Sequence, residues 1–269
     1  MPFLEHKGAS LHYEVERGLF PQDMLFIHGN LASNIWWSQS IAEWKKTAQP
    51  EWKGRAVFAE WRGYGSSSAP NVLADLSIER LAIDNLAIVE FLQLKKPGLV
   101  GHSMGGGIAL QATLNSPECF SSALLLNPVP SSGYHSTPKQ LEMVDRMRVD
   151  RQVCFTVMAT TIFNAHKLHT EVLEQVADAA FHAAPMNWRG VAEETMIFNL
   201  HNELGRIRIP VLVVHGVEDH ICRLSDSQAT VDRIPGAQLM PIFGAGHSLN
   251  LEDPAKFACI VRDYFSKPI

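Results

Sequence analysis

Residues 101–105 read Gly101-His102-Ser103-Met104-Gly105, a hydroxyl with a glycine two positions away on each side. A serine hydroxyl is a weak nucleophile until a base takes its proton, so this segment does chemistry only if the chain also supplies an imidazole and a group to orient it. Of the 12 histidines, His247 stands in Gly244-Ala245-Gly246-His247, a glycine-rich stretch able to carry a base across the edge of a folded core. A carboxylate is available in Val217-Glu218-Asp219-His220. If Asp219 points inward its neighbour Glu218 points elsewhere, so Asp219 is the first choice and Glu218 its competitor. In such a set Ser103 attacks an acyl carbon and His247 takes the proton and returns it to the leaving group. Asp219 holds the imidazole in the productive tautomer.

These residues are useful only if secondary structure brings them to one edge. Short apolar runs alternate with stretches of helical period, which predicts a mostly parallel sheet covered by helices on both faces. Strands are expected over residues 24–28, 55–61, 99–100, 123–126, 209–215 and 238–243. Ser103 follows the third of these and precedes a helix opening at Met104. A serine at a sharp strand-to-helix corner stands above the sheet edge, and only glycine at 101 and 105 lets the chain pass so closely. The helix N-terminus there also favours developing negative charge. A glycine-rich turn with an incidental serine has the same local pattern; the imidazole and carboxylate placed after later strands separate the two readings. Ser77 caps a helix with Ile78, Ala82, Leu86 and Val89 on one face. Asp253-Pro254 opens the last helix, whose buried stripe is Phe257, Val261 and Phe265.

Between the strands near 125 and 212 the alternation stops. Residues 130–208 predict three or four helices without a strand, a cap inserted into a core made of residues 1–129 and 209–269. The cap holds Met143, Met147, Met158, Met186 and Met196 with Phe155, Phe163, Trp188 and Phe198. Methionine fills irregular apolar space, so these side chains either roof a substrate or pack the cap helices on one another.

Composition narrows the class. The chain has 269 residues, 46% of them hydrophobic and 19% charged, with a net charge of -5, which fits one α/β domain with an insertion. There is no cationic run to neutralise phosphates, so nucleic acid is not an expected partner. Cys119, Cys154, Cys222 and Cys259 are scattered, with no spacing for a disulfide framework or zinc. His215, Asp219 and His220 could be read as metal ligands, but no second cluster accompanies them; no metal is expected. Glu5, His6 and Lys7 interrupt the N-terminus before a signal-like apolar stretch, and no membrane-spanning run follows, so the expected address is cytoplasmic.

The order Ser103, Asp219, His247 is that of a nucleophile elbow on a parallel sheet. With it, the chain resembles the α/β-hydrolase superfamily from about residue 24 to 266. His28-Gly29-Asn30 is similar to the family's oxyanion turn, Arg62-Gly63-Tyr64-Gly65-Ser66 to its R-G-x-G-x-S turn, and Gly244-Ala245-Gly246-His247 to its histidine segment. The resemblance implies the α/β-hydrolase fold with an inserted helical cap. It also implies an oxyanion hole made by the backbone N–H groups of Asn30 and Met104. Glu60 departs from the family's usual aspartate at a structural position. Asn127 stands where some relatives carry their acid, which leaves Asp219. Asn30 resembles the halide-binding asparagine of haloalkane dehalogenases, but those enzymes and the epoxide hydrolases of this fold need a carboxylate nucleophile where Ser103 stands. His28 and His102 are expected as framework. Trp36, Trp37 and Trp44 are expected on the helix after the oxyanion turn, with one of the first two lining an acyl pocket. The implied activity is hydrolysis of a small carboxylic ester or lactone through an acyl-enzyme, with no cofactor. The same set could serve C–C bond hydrolysis, thioester cleavage, perhydrolysis or acyl transfer. A non-catalytic ligand-binding protein on this fold is the remaining alternative.

Overall fold

The computed structural model describes residues 2–266. Eight strands form one sheet in the order β1-β2-β4-β3-β5-β6-β7-β8. The strands are β1 (Phe3–His6), β2 (Ala9–Arg17), β3 (Met24–Ile27), β4 (Arg55–Ala59), β5 (Gly98–His102), β6 (Ala123–Leu126), β7 (Val211–Gly216) and β8 (Gln238–Ile242). From β4 to β8 along the sheet every neighbour is parallel, as the apolar runs predict, with boundaries shifted by up to two residues. The β1–β2 hairpin, antiparallel to itself and to β4, is a finding that the strand pattern did not announce. Its two loop residues, Lys7 at φ 45° and Gly8 at φ 74°, both lie in the left-handed region, the geometry that matches the twist of a tight hairpin.

The strands divide their side chains between two cores with period two. Leu25, Ile27, Val57, Ala59, Leu99, Leu125 and Val213 face one cluster, which includes α2 (Ile78–Phe91) and α3 (Met104–Asn115). Met24, Phe26, Phe58, Val100, Leu124, Leu126 and Val214 face the other. Trp44 of α1 (Ser38–Thr47) and Phe257, Val261 and Phe265 of the final helix (Pro254–Phe265) close that second face. Burial on both faces explains why these strands read as continuous apolar runs.

The chain leaves β3 for β4 on one side and returns to β5 on the other. Loops after β3 and β5 therefore part at the carboxyl edge, where doubly wound sheets open a crevice. Four helices between β6 and β7 lie over this edge: α4 (Pro138–Val149), α5 (Arg151–Thr160), α6 (Thr170–Phe181) and α7 (Pro185–Ile197). The remaining helices are α8 (Leu224–Val231), the single-turn α9 (Leu249–Glu252) and α10 (Pro254–Phe265).

Beneath α7 the turn after β4 is held by a buried ion pair. Arg62, fully buried, donates from Nε to Asp84 Oδ2 at 2.7 Å and from Nη2 to Asp84 Oδ1 at 3.0 Å. Ala184 N–H then donates to Gly63 O at 2.8 Å, and Asn187 Nδ2 to Arg62 O at 2.7 Å, so the cap rests on this turn. Removing Asp84 leaves the buried guanidinium only a looser carboxylate partner, Asp75 Oδ1 at 3.5 Å from Nη1. Asp84→Ala should cost about 3 kcal/mol or more and lower Tm by roughly 5–10 °C in a thermal melt.

Candidate active site

Ser103 sits at φ 54°, ψ -119°, between β5 and α3. A non-glycine residue in this region stores roughly 1–3 kcal/mol, so the surrounding backbone must enforce it. Ser103 N–H donates to Leu126 O at 2.9 Å, and Ser103 O accepts from Gly106 N at 2.9 Å and Val129 N at 3.0 Å. The corner leaves no room for side chains nearby. A Cβ on Gly101 would stand 2.4 Å from Gly105 O, and one on Gly105 would stand 2.2 Å from Ile27 O. Both flanking glycines are thus required by the approach of β3, β5 and α3.

Asp219 follows β7 and His247 follows β8, adjacent strands that end side by side. His247 Nδ1 donates to Asp219 Oδ2 at 2.7 Å. The same carboxylate accepts from Asn127 Nδ2 at 2.7 Å, Ile221 N at 2.7 Å and Cys222 N at 3.1 Å. Burial alone would raise the Asp219 pKa, but the hydrogen bond and charge of His247, with the Ile221 and Asn127 donors, outweigh it and hold the carboxyl below its ordinary value. An imidazole whose Nδ1–H is fixed in this way has Nε2 free as a base. Ser103 and His247 line the same cavity; among the described residues no hydrogen bond closes between them. Such contacts are often long in the absence of substrate.

Glu218 points away from Asp219, and its Oε2 accepts from Gly244 N at 3.0 Å and Ala245 N at 3.1 Å. It braces the loop that carries His247. Asn127 was legible only as a position lacking an acid. Its role as a donor to Asp219 depends on β6 and β7 being neighbours, which local sequence does not carry. Glu60 is likewise structural: Oε2 accepts from Ser66 N at 2.7 Å and Oε1 from Asn34 N at 3.2 Å.

Asn30 and Met104 also line the cavity. Among the described residues neither backbone N–H has an intramolecular acceptor, and Met104 is the first residue of α3. The two therefore remain available to an anionic oxygen. The side chain of Asn30 is turned to structure, its Oδ1 accepting from Leu31 N at 2.9 Å and from Tyr64 Oη. His28 and His102 are framework. His28 Nδ1 donates to Gly29 O at 2.8 Å, and His102 Nε2 donates to His247 O at 2.9 Å.

The cavity has a volume of about 350 Å³. Core residues Leu31, Trp36 and Val129 meet Met143, Met147, Met158, Trp188 and Val191 of the cap across it. Trp36 and Trp37 lie on a short 3-10 turn (Asn34–Trp37) ahead of α1, rather than on the helix itself, which carries Trp44; Trp37 and Trp44 pack in the core away from the cavity. Of the other cap residues singled out above, Met186 is exposed and Phe198 packs in the core below the cap. No lysine, arginine, aspartate or glutamate is among the described residues lining the cavity.

The histidines do not assemble as the metal reading would need. His215 is buried against Ser227 Oγ at 2.8 Å and Cys222 O at 3.2 Å, whereas His220 is exposed. Asp219, Cys222 and His247 each offer one ligand atom within 4.8 Å of the others. Asp219 already accepts four hydrogen bonds there, and burial pushes the Cys222 thiol well above its ordinary range. That chemistry fits orientation of His247 better than a resident cation. No helix among the described residues is long and apolar enough to cross a membrane.

Burial lowers the pKa of His28 to about 4 and that of His102 to about 3. Both stay neutral in the folded chain but accept protons near pH 6.5 once unfolded, so the unfolded state binds more protons below that pH. Stability should be fully present above about pH 6.5 and fall toward pH 4, each histidine contributing up to about 1.4 kcal/mol per pH unit. Urea unfolding across this window measures the slope, and His102→Gln, which keeps a donor toward His247 O, should flatten it.

The chain matches the family described as alpha/beta hydrolase fold over residues 24–254. It is 29% identical over 261 residues to the 2-hydroxymuconate semialdehyde hydrolase of Pseudomonas sp. (strain CF600), covering 91% of this chain and 87% of that protein. It is 25% identical over 236 residues to the 3-oxoadipate enol-lactonase 2 of Acinetobacter baylyi, covering 87% of this chain and 85% of that protein. Its fold is shared by the esterase EaEST of Exiguobacterium antarcticum, with a TM-score of 0.85, 22% identity and coverage of 98% and 99% of the two chains. The match over most of the chain, together with the elbow and the sheet order that supports it, means that this chain belongs to the alpha/beta hydrolase-fold family.

Proposed function

We propose that this protein is a serine hydrolase that cleaves a neutral carboxylic ester or lactone through an acyl-enzyme. The observation that carries the reading is the 2.7 Å His247–Asp219 hydrogen bond beside a serine held at a strained elbow in the same cavity. His247 Nε2 takes the Ser103 proton as Oγ adds to the carbonyl carbon. The tetrahedral oxyanion accepts from the N–H groups of Asn30 and Met104, at the positive end of α3. His247 then protonates the departing alkoxide, leaving the acyl group on Ser103. Water, activated by the same imidazole, attacks that ester, and Ser103 recovers its proton as the acid leaves. Asp219 remains ionised and steadies the imidazolium. The cap, residues 130–208, roofs the acyl group with methionine and tryptophan, and a small neutral molecule is the partner this site fits.

The uncharged lining supports neutral substrates among the chemistries that share an elbow. The substrates that give the Pseudomonas and Acinetobacter relatives their names carry carboxylates. Here such a group would be buried without a cation, at a cost of several kcal/mol. Neutral esters and lactones meet no such penalty, and the alternative C–C hydrolysis of a carboxylated dienone is disfavoured for the same reason.

Ser103→Ala and His247→Ala should each lower hydrolysis of p-nitrophenyl butyrate by about 10³-fold or more, and a fluorophosphonate should label Ser103 once per chain. Wild-type rates in both variants would remove the assignment. Among aryl esters of equal length, one with a free terminal carboxylate should show kcat/KM at least about tenfold below its neutral counterpart. Equal rates would show that the cavity does not select against charge.

A further inference from the structure

Glu252 ends α9, five residues beyond His247, and none of the steps above uses it. Its carboxylate is bound by main chain only. Oε2 accepts from Gly246 N at 2.6 Å, and Oε1 accepts from Ser248 N at 2.9 Å and Phe163 N at 3.0 Å. Gly246 and Ser248 flank His247, while Phe163 belongs to the cap, between α5 and α6. The contact with the cap is also steric: a Cβ on Gly246 would stand 2.6 Å from Phe163 Cβ. Burial acts to raise the Glu252 pKa, and the influences opposing it are these three N–H groups and the His247 imidazole, not a lysine or arginine.

Besides the His102 Nε2 donor to His247 O, the loop carrying His247 thus has two carboxylate fasteners of different kinds. Glu218 ties Gly244 and Ala245 to the core alone. Glu252 ties the residues on both sides of His247 to each other and, through the same oxygen that holds Ser248, to the cap. A glycine-rich loop has many conformations to lose, and an imidazole displaced by about 1 Å can cost about 10² in rate. A carboxylate satisfied by three N–H groups is complete only when Phe163 is in place.

We propose that Glu252 is a positioning residue that links the seating of the cap to the register of His247, an inference that rests on His247 being the general base. Glu252→Gln tests it with little change of shape. One amide oxygen cannot serve three N–H donors held at both carboxylate oxygens, so at least one of them faces an NH₂ group. The variant should fold, with a circular dichroism spectrum like that of the wild type, yet lose about 10- to 100-fold in kcat on a neutral p-nitrophenyl ester, with KM changed by no more than about threefold. The rate of fluorophosphonate inactivation should fall by the same factor.

Glu252→Ala leaves three N–H groups facing a gap beside a cavity of about 190 Å³ bordered by Phe163, Leu249 and Lys256. Added formate should occupy that gap and restore at least about fivefold in kcat, while leaving Ser103→Ala unaffected. The downfield proton resonance of His247 Nδ1–H, read in a Ser103→Ala background, should shift or broaden when Glu252→Gln is added. That resonance needs only the His247–Asp219 pair, so it reports on the strap even if Ser103 is not the nucleophile. Activity of both Glu252 variants within about twofold of wild type would overturn the inference, as would a loss without formate rescue and with an unchanged resonance. Retained activity in Ser103→Ala or His247→Ala would instead strike the proposed reaction itself.

Discussion

Everything at the carboxyl edge depends on how closely three backbones approach at one corner. β5 turns into α3 against the end of β3 with carbonyl oxygens occupying the space where side chains at 101 and 105 would begin. The contact forces Ser103 into a conformation that an unconstrained serine avoids, and it pins that residue through Leu126 O and Val129 N. It also brings the turn after β3 beside the first residue of α3, so that two free N–H groups and one hydroxyl share a cavity. The proposed nucleophile, its proposed anion-stabilising donors and a helix dipole are then products of one steric constraint.

Once the corner is set, the loops around it must be fixed without filling the crevice. The chain does this with carboxylates that accept main-chain N–H groups. Glu60 holds Asn34 and Ser66, Asp219 holds Ile221 and Cys222, Glu218 holds Gly244 and Ala245, and Glu252 holds Gly246, Ser248 and Phe163. Charge-assisted bonds to backbone donors are strong and need no bulky partner. They leave the cavity wall, among the described residues, without lysine, arginine, aspartate or glutamate, the feature on which the proposed preference for uncharged substrates rests. The buried histidines work similarly, with His28 and His102 kept neutral by desolvation and used as donors to carbonyls.

The cap is attached at opposite ends by different chemistry. At one end Ala184 and Asn187 bond to the backbone of the turn stiffened by Arg62 and Asp84; at the other, Phe163 bonds to Glu252. Between them methionines and Trp188 meet the core across an apolar gap. Flexible thioethers fill such an irregular apolar gap with little strain.

Much of this was legible in the residues. Short apolar runs mark the six parallel strands, Ser77 and Asp253-Pro254 mark helix starts, and glycines at 101 and 105 mark the corner, because each depends on a few neighbouring residues and on local backbone sterics. The order Ser103, Asp219, His247 follows from which strands end in loops. The β1–β2 hairpin was hidden because Glu5, His6 and Lys7, at the end of β1 and in the turn, look like solvated chain. Other features needed the tertiary structure. Asn127 reaches Asp219 across 92 residues, and Phe163 reaches Glu252 across 89. Whether Trp36 or Trp37 faces the cavity, and which methionines line it, turns on a 3-10 turn and on helix packing that have no local code. Sequence specifies conformation where the forces act between neighbours in the chain; convergence of distant side chains is decided only when the sheet brings its loops to one edge.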